Sequence, residues 1–152
     1  MDVAKHLERA ERHKVVGDAL AEAGDEWAAV CYFYAAYHLM RHALRTDPIF
    51  DDPTRLAAVS PDLAPELREV ARHQGRRGAT REYGVNDLVR LLYGNETAKV
   101  YGRLHYASIA VRYEDGLRGK PLGQLREELD TIRLAHAQGQ LKCQGAAARL
   151  EP

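Results

Sequence analysis

The chain has 152 residues, which fits one domain able to bury a core without disulfides or a structural metal. Lysine and arginine together number 22, as do aspartate and glutamate, so no overall field draws the chain to nucleic acid or to an anionic membrane. Any such binding has to come from local clusters of charge.

The two cysteines, Cys31 and Cys143, suit free thiols in a reducing compartment better than a disulfide framework. The first fifteen residues are rich in charge and contain no apolar signal core. The apolar run over residues 27–37 is well short of the roughly 20 residues that a membrane span needs. We therefore expect a cytoplasmic protein with no membrane partner.

Apolar residues recur at spacings of three and four, and no stretch alternates apolar and polar residues over the length of a strand. This pattern predicts an all-α fold, an antiparallel up-and-down bundle of four to five main helices. We expect a single domain over residues 1–137. Residues 138–152 have little to bury and are expected to form a flexible tail.

The first helix is expected to begin after Asp2, its N-cap, and to end near Gly24. Its apolar stripe changes face around residues 14–17, between Leu7 and Val16. Two explanations stay open. Either the helix contacts its own bundle at one end and a second subunit at the other, which predicts a homodimer, or the helix is kinked.

The second helix is expected to follow Asp25 and to be the central one, because it is apolar nearly all round up to Tyr37. His38 and His42 have the four-residue spacing of a two-histidine metal pair. No third ligand is recognisable, so we expect no metal site. A hydrogen-bonded core histidine is the better interpretation of His38, and a surface histidine that of His42.

Prolines at positions 48, 53 and 61 interrupt the middle of the chain. Apolar spacings over residues 63–71 predict a shorter third helix that begins at Ser60 or Asp62. The sequence GRRGATREYG, residues 75–84, has no apolar period and predicts an exposed loop.

Three further helical segments complete the predicted bundle. A short helix over residues 87–93 leads to a long one capped by Asn95. After Pro121 the final helix carries a narrow apolar stripe that packs on the bundle or on a partner chain. The stripe is formed by Leu122, Leu125, Leu129 and Ile132.

Residues 68–81 carry five arginines against one acid, Glu69. The arginines are Arg68, Arg72, Arg76, Arg77 and Arg81. Because arginine matches phosphate oxygens bidentately, this segment is a candidate phosphate or RNA site, the alternative being a solvated loop. Tyr83, Tyr93 and Tyr101 are candidates for stacking on single-stranded bases, or else tyrosines at the edge of the core. The motifs GxxxxGK[ST], GxGxxG, GxSxG and HExxH are absent.

Three fragments, by their order and spacing, resemble the HEPN superfamily (higher eukaryotes and prokaryotes nucleotide-binding). They are AERH at residues 10–13, a tryptophan followed by FYAAYH at residues 27–38, and YGRLHYASIAVRY at residues 101–113. The resemblance spans residues 8–115 and implies an antiparallel helical bundle, often dimeric. It also implies a role on RNA in toxin–antitoxin, antiviral or stress systems, with no cofactor.

Catalytic members of this superfamily look like metal-independent endoribonucleases with an arginine, four to six residues and a histidine at a dimer cleft. By this resemblance Arg68 and His73 are the catalytic candidates. Arg72, Arg76, Arg77 and Arg81, from the same basic segment, are the candidates for binding phosphate or RNA. A histidine of near-neutral pKa can move a proton at the ribose 2′-hydroxyl, while arginine offsets charge that develops on the phosphate.

His38 matches the histidine of FYAAYH, and Arg112 with Tyr113 matches the end of the later helix. The resemblance implies that these residues meet His73 and Arg77 in one polar pocket. A buried cationic cluster without acids needs an anion or backbone carbonyls to offset its cost. The rival hypothesis is a non-catalytic helical module that dimerises or holds a protein partner such as an antitoxin.

Overall fold

A computed structural model describes residues 1–76 and 82–143, and the regular secondary structure of this part of the chain is entirely helical, with no strand. The α-helices are α1 (Val3–Glu22), α2 (Ala28–Thr46), α3 (Pro53–Val59), α4 (Val85–Tyr93), α5 (Asn95–Tyr113) and α6 (Leu122–Ala137), with 3₁₀ turns at Pro48–Asp51 and Pro65–Glu69. The predicted all-α fold is confirmed. None of the helices in these ranges is long and apolar enough to cross a membrane.

Helix α2 is the centre of the fold, as predicted. Thirteen of its 19 residues are buried, because its apolar run leaves only a narrow face for solvent. It packs against α1, α5 and α6. The apolar stripe of α6 packs on this core through Leu125, Leu129 and Ile132.

Helix α1 packs on α2 with a single face along its whole length. His6, His13 and Gly17, at positions i, i+7 and i+11 of one helical face, are buried or half-buried. A second buried face is not found within the described part of this chain, and Leu7 and Val16 stay 38% and 43% exposed. The contact face of α1 consists of histidine and small residues. The spacing of apolar residues alone does not predict such a face.

The third helix lies earlier in the chain than predicted, so the expected start at Ser60 or Asp62 is wrong. The Asp52 Oδ1 atom accepts a hydrogen bond of 3.1 Å from the backbone N–H of Arg55, and Pro53 occupies the first turn, where proline is tolerated. Pro65 cannot continue a helix from residue 60 because it lacks an N–H, and it begins a 3₁₀ turn instead.

The segment after Arg72 is held against the start of α4. The backbone N–H of Val85 donates to the carbonyl of Arg72 at 2.8 Å, and that of Asn86 donates to the carbonyl of His73 at 3.0 Å. Gly84 permits this approach, since a Cβ there would lie 2.6 Å from the His73 carbonyl oxygen. These contacts fix the position of His73.

The predicted loop over residues 75–84 is anchored at both ends. Arg76 and Glu82 exchange two backbone hydrogen bonds of 2.9 and 3.0 Å, and Tyr83 is buried. Its ends therefore pair with each other, which a freely solvated loop would not do. Residues 77–81, including the predicted phosphate-binding Arg77 and Arg81, lie outside the described residues.

The chain stays on the core beyond α6, so the predicted tail begins too early. Leu141 and Cys143 are buried, and the backbone N–H of Cys143 donates to Asp47 Oδ2 at 2.8 Å. Two apolar side chains form too short a pattern for the sequence to predict this packing on the core. Residues 144–152 are outside the described ranges. Cys31 and Cys143 are both free thiols, as expected.

Candidate functional site

Five histidines lie together with three aromatic rings of α2, in a group that we call the histidine cluster. Each of these histidine rings has another ring of the cluster within 5.8 Å, centroid to centroid. The members are His6 and His13 of α1, Phe33, Tyr34, Tyr37 and His38 of α2, His73, and His105 of α5.

The local sequence of α2 explains why the cluster forms there. One face of α2 carries Tyr34, Tyr37, His38 and Arg41, because their spacings of three, one and three residues match the turn of a helix. Helix α1 brings two histidines to one side of this face. The segment before α4 brings His73 to the other side.

His6 and His38 form the buried inner end of the cluster. Their Nδ1 atoms are 3.0 Å apart, and the two residues are only 3% and 6% exposed. Burial is the main cause that lowers the pKa of each to about 4, so both are neutral at neutral pH and one donates to the other. The prediction that His38 is a hydrogen-bonded core histidine is confirmed, but its partner lies on α1 rather than on the helix of Arg112.

His73 lies at the half-buried outer end. Its ring packs edge-on against Tyr37 at 4.7 Å and against Phe33 at 5.2 Å. Burial, followed by the nearby charge of Arg112, lowers the pKa of His73. The imidazole is therefore neutral at neutral pH, and its Nδ1 atom has no hydrogen-bond partner among the described residues.

Arg112 holds its guanidinium beside the cluster through tyrosine hydroxyls. Its Nη1 atom donates to Tyr34 Oη at 2.9 Å, and its Nη2 atom donates to the hydroxyl of Tyr113. The guanidinium carbon lies 4.7 Å from the centroid of the Tyr113 ring. The predicted grouping of His38, His73, Arg112 and Tyr113 is thus observed in part: Tyr34 contacts both His73 and Arg112.

Arg41 is a buried cation behind the cluster. It is 7% exposed, and its Nε atom has no hydrogen-bond partner in the part of the chain that the structure describes. The hydroxyl of Tyr101 is likewise buried without a partner there. The charge of Arg41 adds to burial in lowering the pKa of His6 and of His38.

Seven lysines and arginines in the described ranges have no carboxylate partner, and five of these border the histidine cluster. The remaining described cations pair with acids. The seven are Lys5, Arg9, Arg12, Arg41, Arg55, Arg112 and Lys142, of which Arg55 and Lys142 lie elsewhere. Positive charge without counterions is therefore concentrated at one place in a chain of zero net charge.

Arg68, the predicted catalytic arginine, binds other parts of the chain. Its Nη2 atom donates to the Asp47 carbonyl at 2.9 Å, and its Nη1 atom lies 2.9 Å from Asp51 Oδ1. Its guanidinium carbon is 5.6 Å from the centroid of the Phe50 ring. No contact joins Arg68 to His73, because a 3₁₀ turn replaces the helix on which the two were expected.

Arg72 and Arg76, predicted to bind RNA, both face Glu82. A carboxylate oxygen of Glu82 pairs with Arg72 Nη1 and lies 4.0 Å from Arg76 Nε. All three side chains are exposed. Glu82 thus partly neutralises the charge of the basic segment. It lies one position beyond residues 68–81, so the count of charges over that range did not include it.

The tyrosines predicted to stack on bases are not available for stacking. Tyr83 and Tyr101 are buried, and Tyr93 is half-buried. Burial is the main cause that raises the pKa of Tyr101 well above its usual value. The alternative interpretation, tyrosines at the edge of the core, is confirmed for these residues.

His38 and His42, the candidate metal pair, belong to separate contacts. His42 is half-buried rather than a surface residue, and its Nδ1 atom lies 2.9 Å from His136 Nε2 of α6. Within residues 1–76 and 82–143, no three or more histidine, cysteine, aspartate or glutamate side chains are grouped as a metal site.

Sequence reasoning missed several residues of the site. His13 and His105 lie within the fragments AERH and YGRLHYASIAVRY, so the resemblance could have identified them. Lys5, Arg9 and Arg12 were missed because acids interleave with them in the sequence. Their spacing of four and three, which puts them on one helical face, would have identified them.

Comparison with known proteins gives no match: no family model, no curated protein and no solved structure is similar to this chain. The HEPN resemblance therefore stays a prediction drawn from the three sequence fragments.

Proposed function

We propose that the protein is a HEPN-like domain that binds single-stranded RNA at the outer side of the histidine cluster. The binding surface consists of five half-buried side chains, here called the floor: His13, Tyr34, Tyr37, His73 and Arg112. The observation that carries this proposal is the concentration of cations without carboxylate partners around these rings.

The floor offers the two kinds of contact that a single strand needs. Arg112 presents guanidinium N–H groups, which match phosphate oxygens. Tyr34, Tyr37 and His73 present ring edges and faces on which unpaired bases can stack. Buried Arg41 adds positive potential behind them, since no carboxylate among the described residues pairs with it.

Fluorescence anisotropy with a labelled single-stranded RNA, measured over a range of salt concentrations, tests this proposal. Loss of one phosphate contact in Arg112→Ala should lower the slope of log affinity against log salt by about 0.7. Arg118→Ala is the matched control, because Arg118 is exposed on the same part of the chain but pairs with Asp115 at 2.7 Å. Equal affinity and slope for Arg112→Ala and wild type would contradict the proposal.

A second candidate function is metal-independent endoribonuclease activity, which the neutral, half-buried imidazole of His73 beside Arg112 favours. A neutral imidazole can take the proton of the ribose 2′-hydroxyl as that oxygen attacks phosphorus. The leaving 5′-oxygen takes up a proton, and the product ends in a 2′,3′-cyclic phosphate. Arg112, which lies beside His73, would hold the phosphate in place of the predicted Arg68.

Incubation of the purified protein with single-stranded RNA in EDTA tests the nuclease candidate. RNA should be cut and DNA left intact, because DNA lacks the 2′-hydroxyl. His73→Ala should abolish cutting, and Arg68→Ala should retain it. Cutting that survives His73→Ala would exclude this mechanism. The resemblance places such an activity in toxin–antitoxin, antiviral or stress systems.

The non-catalytic alternative is favoured by an apolar groove between α1 and α6. The groove has a volume of about 730 Å³, and the exposed side chains of Leu7 and Leu134 line it. We propose a second copy of the chain as its occupant, in line with the predicted homodimer. Light scattering should give a dimer mass for the wild type and a monomer mass for Leu134→Glu. A monomeric wild type would exclude the homodimer.

A further inference from the structure

A stripe of three cations runs along the exposed face of α1. Lys5, Arg9 and Arg12 lie at spacings of four and three, so they share one face over two turns, about 10.5 Å of helix. All three side chains are exposed, and none pairs with an acid in the described ranges. By contrast, Lys14 on the same helix pairs with Asp18 at 2.8 Å.

These cations border a shallow surface cavity that is open to solvent. The cavity has a volume of about 450 Å³, and its lining consists of Lys5, Glu8, Arg9, Arg12 and His13, all on α1. Glu8 is the single acid in that lining, so the formal charge around the cavity is positive at neutral pH. An anionic ligand is therefore the complementary occupant.

His13 connects this cavity to the floor of the proposed RNA site. Its ring stacks on His38 with a centroid separation of 5.6 Å and an angle of 7° between the ring planes. On the other side, its centroid is 5.8 Å from that of Tyr34, whose hydroxyl accepts the hydrogen bond from Arg112. A continuous surface thus leads from the α1 cations over His13 to Arg112.

We propose that Lys5, Arg9 and Arg12 form a phosphate track, which binds the sugar–phosphate backbone of the RNA strand whose bases lie on the floor. This inference rests on the proposed function and names the path of the strand. Stacked nucleotides rise about 3.4 Å each along the axis of the strand, so a stripe of this length spans about three nucleotides.

The rings beside the track favour single-stranded RNA over an acidic protein. A polyanion without bases can occupy the track but gains nothing from Tyr34 and His13. A strand with bases gains stacking as well, and each stacked base contributes about 1–3 kcal/mol by alanine substitution. Track and floor therefore make separable contributions to binding.

Two probes separate these contributions: a labelled single-stranded RNA and inorganic polyphosphate, which has the charge but no bases. The double variant Arg9→Ala/Arg12→Ala should weaken binding of both probes and lower the salt slope for RNA by about 1.4, since two phosphate contacts are lost. Tyr34→Ala should weaken binding of RNA alone. Arg55→Ala is the matched control, because Arg55 is an exposed cation on α3 without an acid partner in the described residues. Thermal melts of every variant establish that each is folded.

The outcomes distinguish the inference from the function on which it rests. Wild-type binding of both probes by the double variant would overturn the track. An equal loss in Arg55→Ala would also overturn it, since general charge would then explain the effect. Loss of polyphosphate binding in the double variant, together with RNA binding that is unchanged by Tyr34→Ala and Arg112→Ala, would support an anion track and overturn the RNA floor.

Discussion

Gly17 of α1 lies directly against the ring of Tyr32 of α2. A Cβ atom at position 17 would stand 2.8 Å from Cε1 of that ring, closer than van der Waals contact allows. The ring is fully buried, and its hydroxyl donates to Asp18 at 2.8 Å, so it has little freedom to move. This close approach of the two helices brings His6 and His13 of α1 onto the face of α2 that carries the histidine cluster.

Gly17→Ala should therefore lower stability, even though alanine is the better helix former. Overpacking of a tight contact costs about 1–3 kcal/mol, which exceeds the gain of up to about 1 kcal/mol from helix propensity. Gly102→Ala on α5 is the matched control, because no atom lies within 4 Å of a Cβ built there. Thermal melts should show a lower Tm for Gly17→Ala and an equal or higher Tm for Gly102→Ala. A Tm for Gly17→Ala at or above that of the wild type would show that the α1–α2 contact is not tight.

His38→Ala should lower the Tm by roughly 2–8 °C. The variant loses the hydrogen bond to His6 and leaves the partner ring buried without it, a cost of about 1–2 kcal/mol in a domain of this size. Differential scanning calorimetry checks the value. Unchanged stability combined with loss of RNA binding would instead assign His38 to the binding site.

Acidification should destabilise the fold through the buried histidines. His6, His38 and His105 each have a folded-state pKa of about 4 against an ordinary value of 6.5, with burial the main cause. The unfolded chain then binds more protons than the folded one between these values. These histidines therefore do not reduce the free energy of unfolding above pH 6.5. They lower it progressively as the pH falls from 6.5 towards 4.

Thermal melts across this pH range, on the wild type and on the double variant His6→Ala/His38→Ala, isolate the effect of the pair from that of the carboxylates. The Tm of the double variant should fall less steeply with decreasing pH, because two of the histidines that protonate on unfolding are missing. Parallel curves for the two proteins would show that these histidines are not the source of the acid sensitivity.

Arg68→Ala should lower stability and leave RNA binding unchanged. The arginine joins the turn Pro65–Glu69 to the end of α2 through the Asp47 carbonyl and Asp51. A charged hydrogen bond of this kind contributes about 1 kcal/mol, less where the acid partner is exposed. A Tm decrease with wild-type anisotropy is expected. Loss of RNA binding in a variant of unchanged Tm would return Arg68 to the site.

The helices that the sequence predicted well are those whose apolar residues do the packing. Residues 28–37 of α2 are apolar throughout, and α4 was predicted within two residues of its observed start at Val85. The contact face of α1 was not predicted, because it consists of histidine and glycine. Neither residue is counted as apolar when a buried face is sought from the sequence. The third helix was misplaced because Asp52 and Pro53 are a stronger start signal than the residues after Ser60.

The candidate site was predicted in part for a similar reason. The resemblance selected His38, Arg112 and Tyr113, which lie at or beside the cluster, because those residues belong to long helices. The pair Arg68 and His73 was chosen because its spacing fits the arginine–histidine motif of that superfamily. That spacing does not bring the two side chains together here, because Arg68 lies in a 3₁₀ turn that ends at Glu69. The cations of α1 were passed over because acids interleave with them in the sequence, although their spacing places them on one helical face.

Photo-crosslinking of a 4-thiouridine-labelled single-stranded RNA, followed by mass spectrometric mapping of the adducts, tests the RNA site most directly. The floor predicts adducts on Tyr34, Tyr37 or His73, with a lower yield in Arg112→Ala because the phosphate is held less firmly. Adducts confined to surfaces away from the histidine cluster, such as that around the exposed Tyr106, would contradict it.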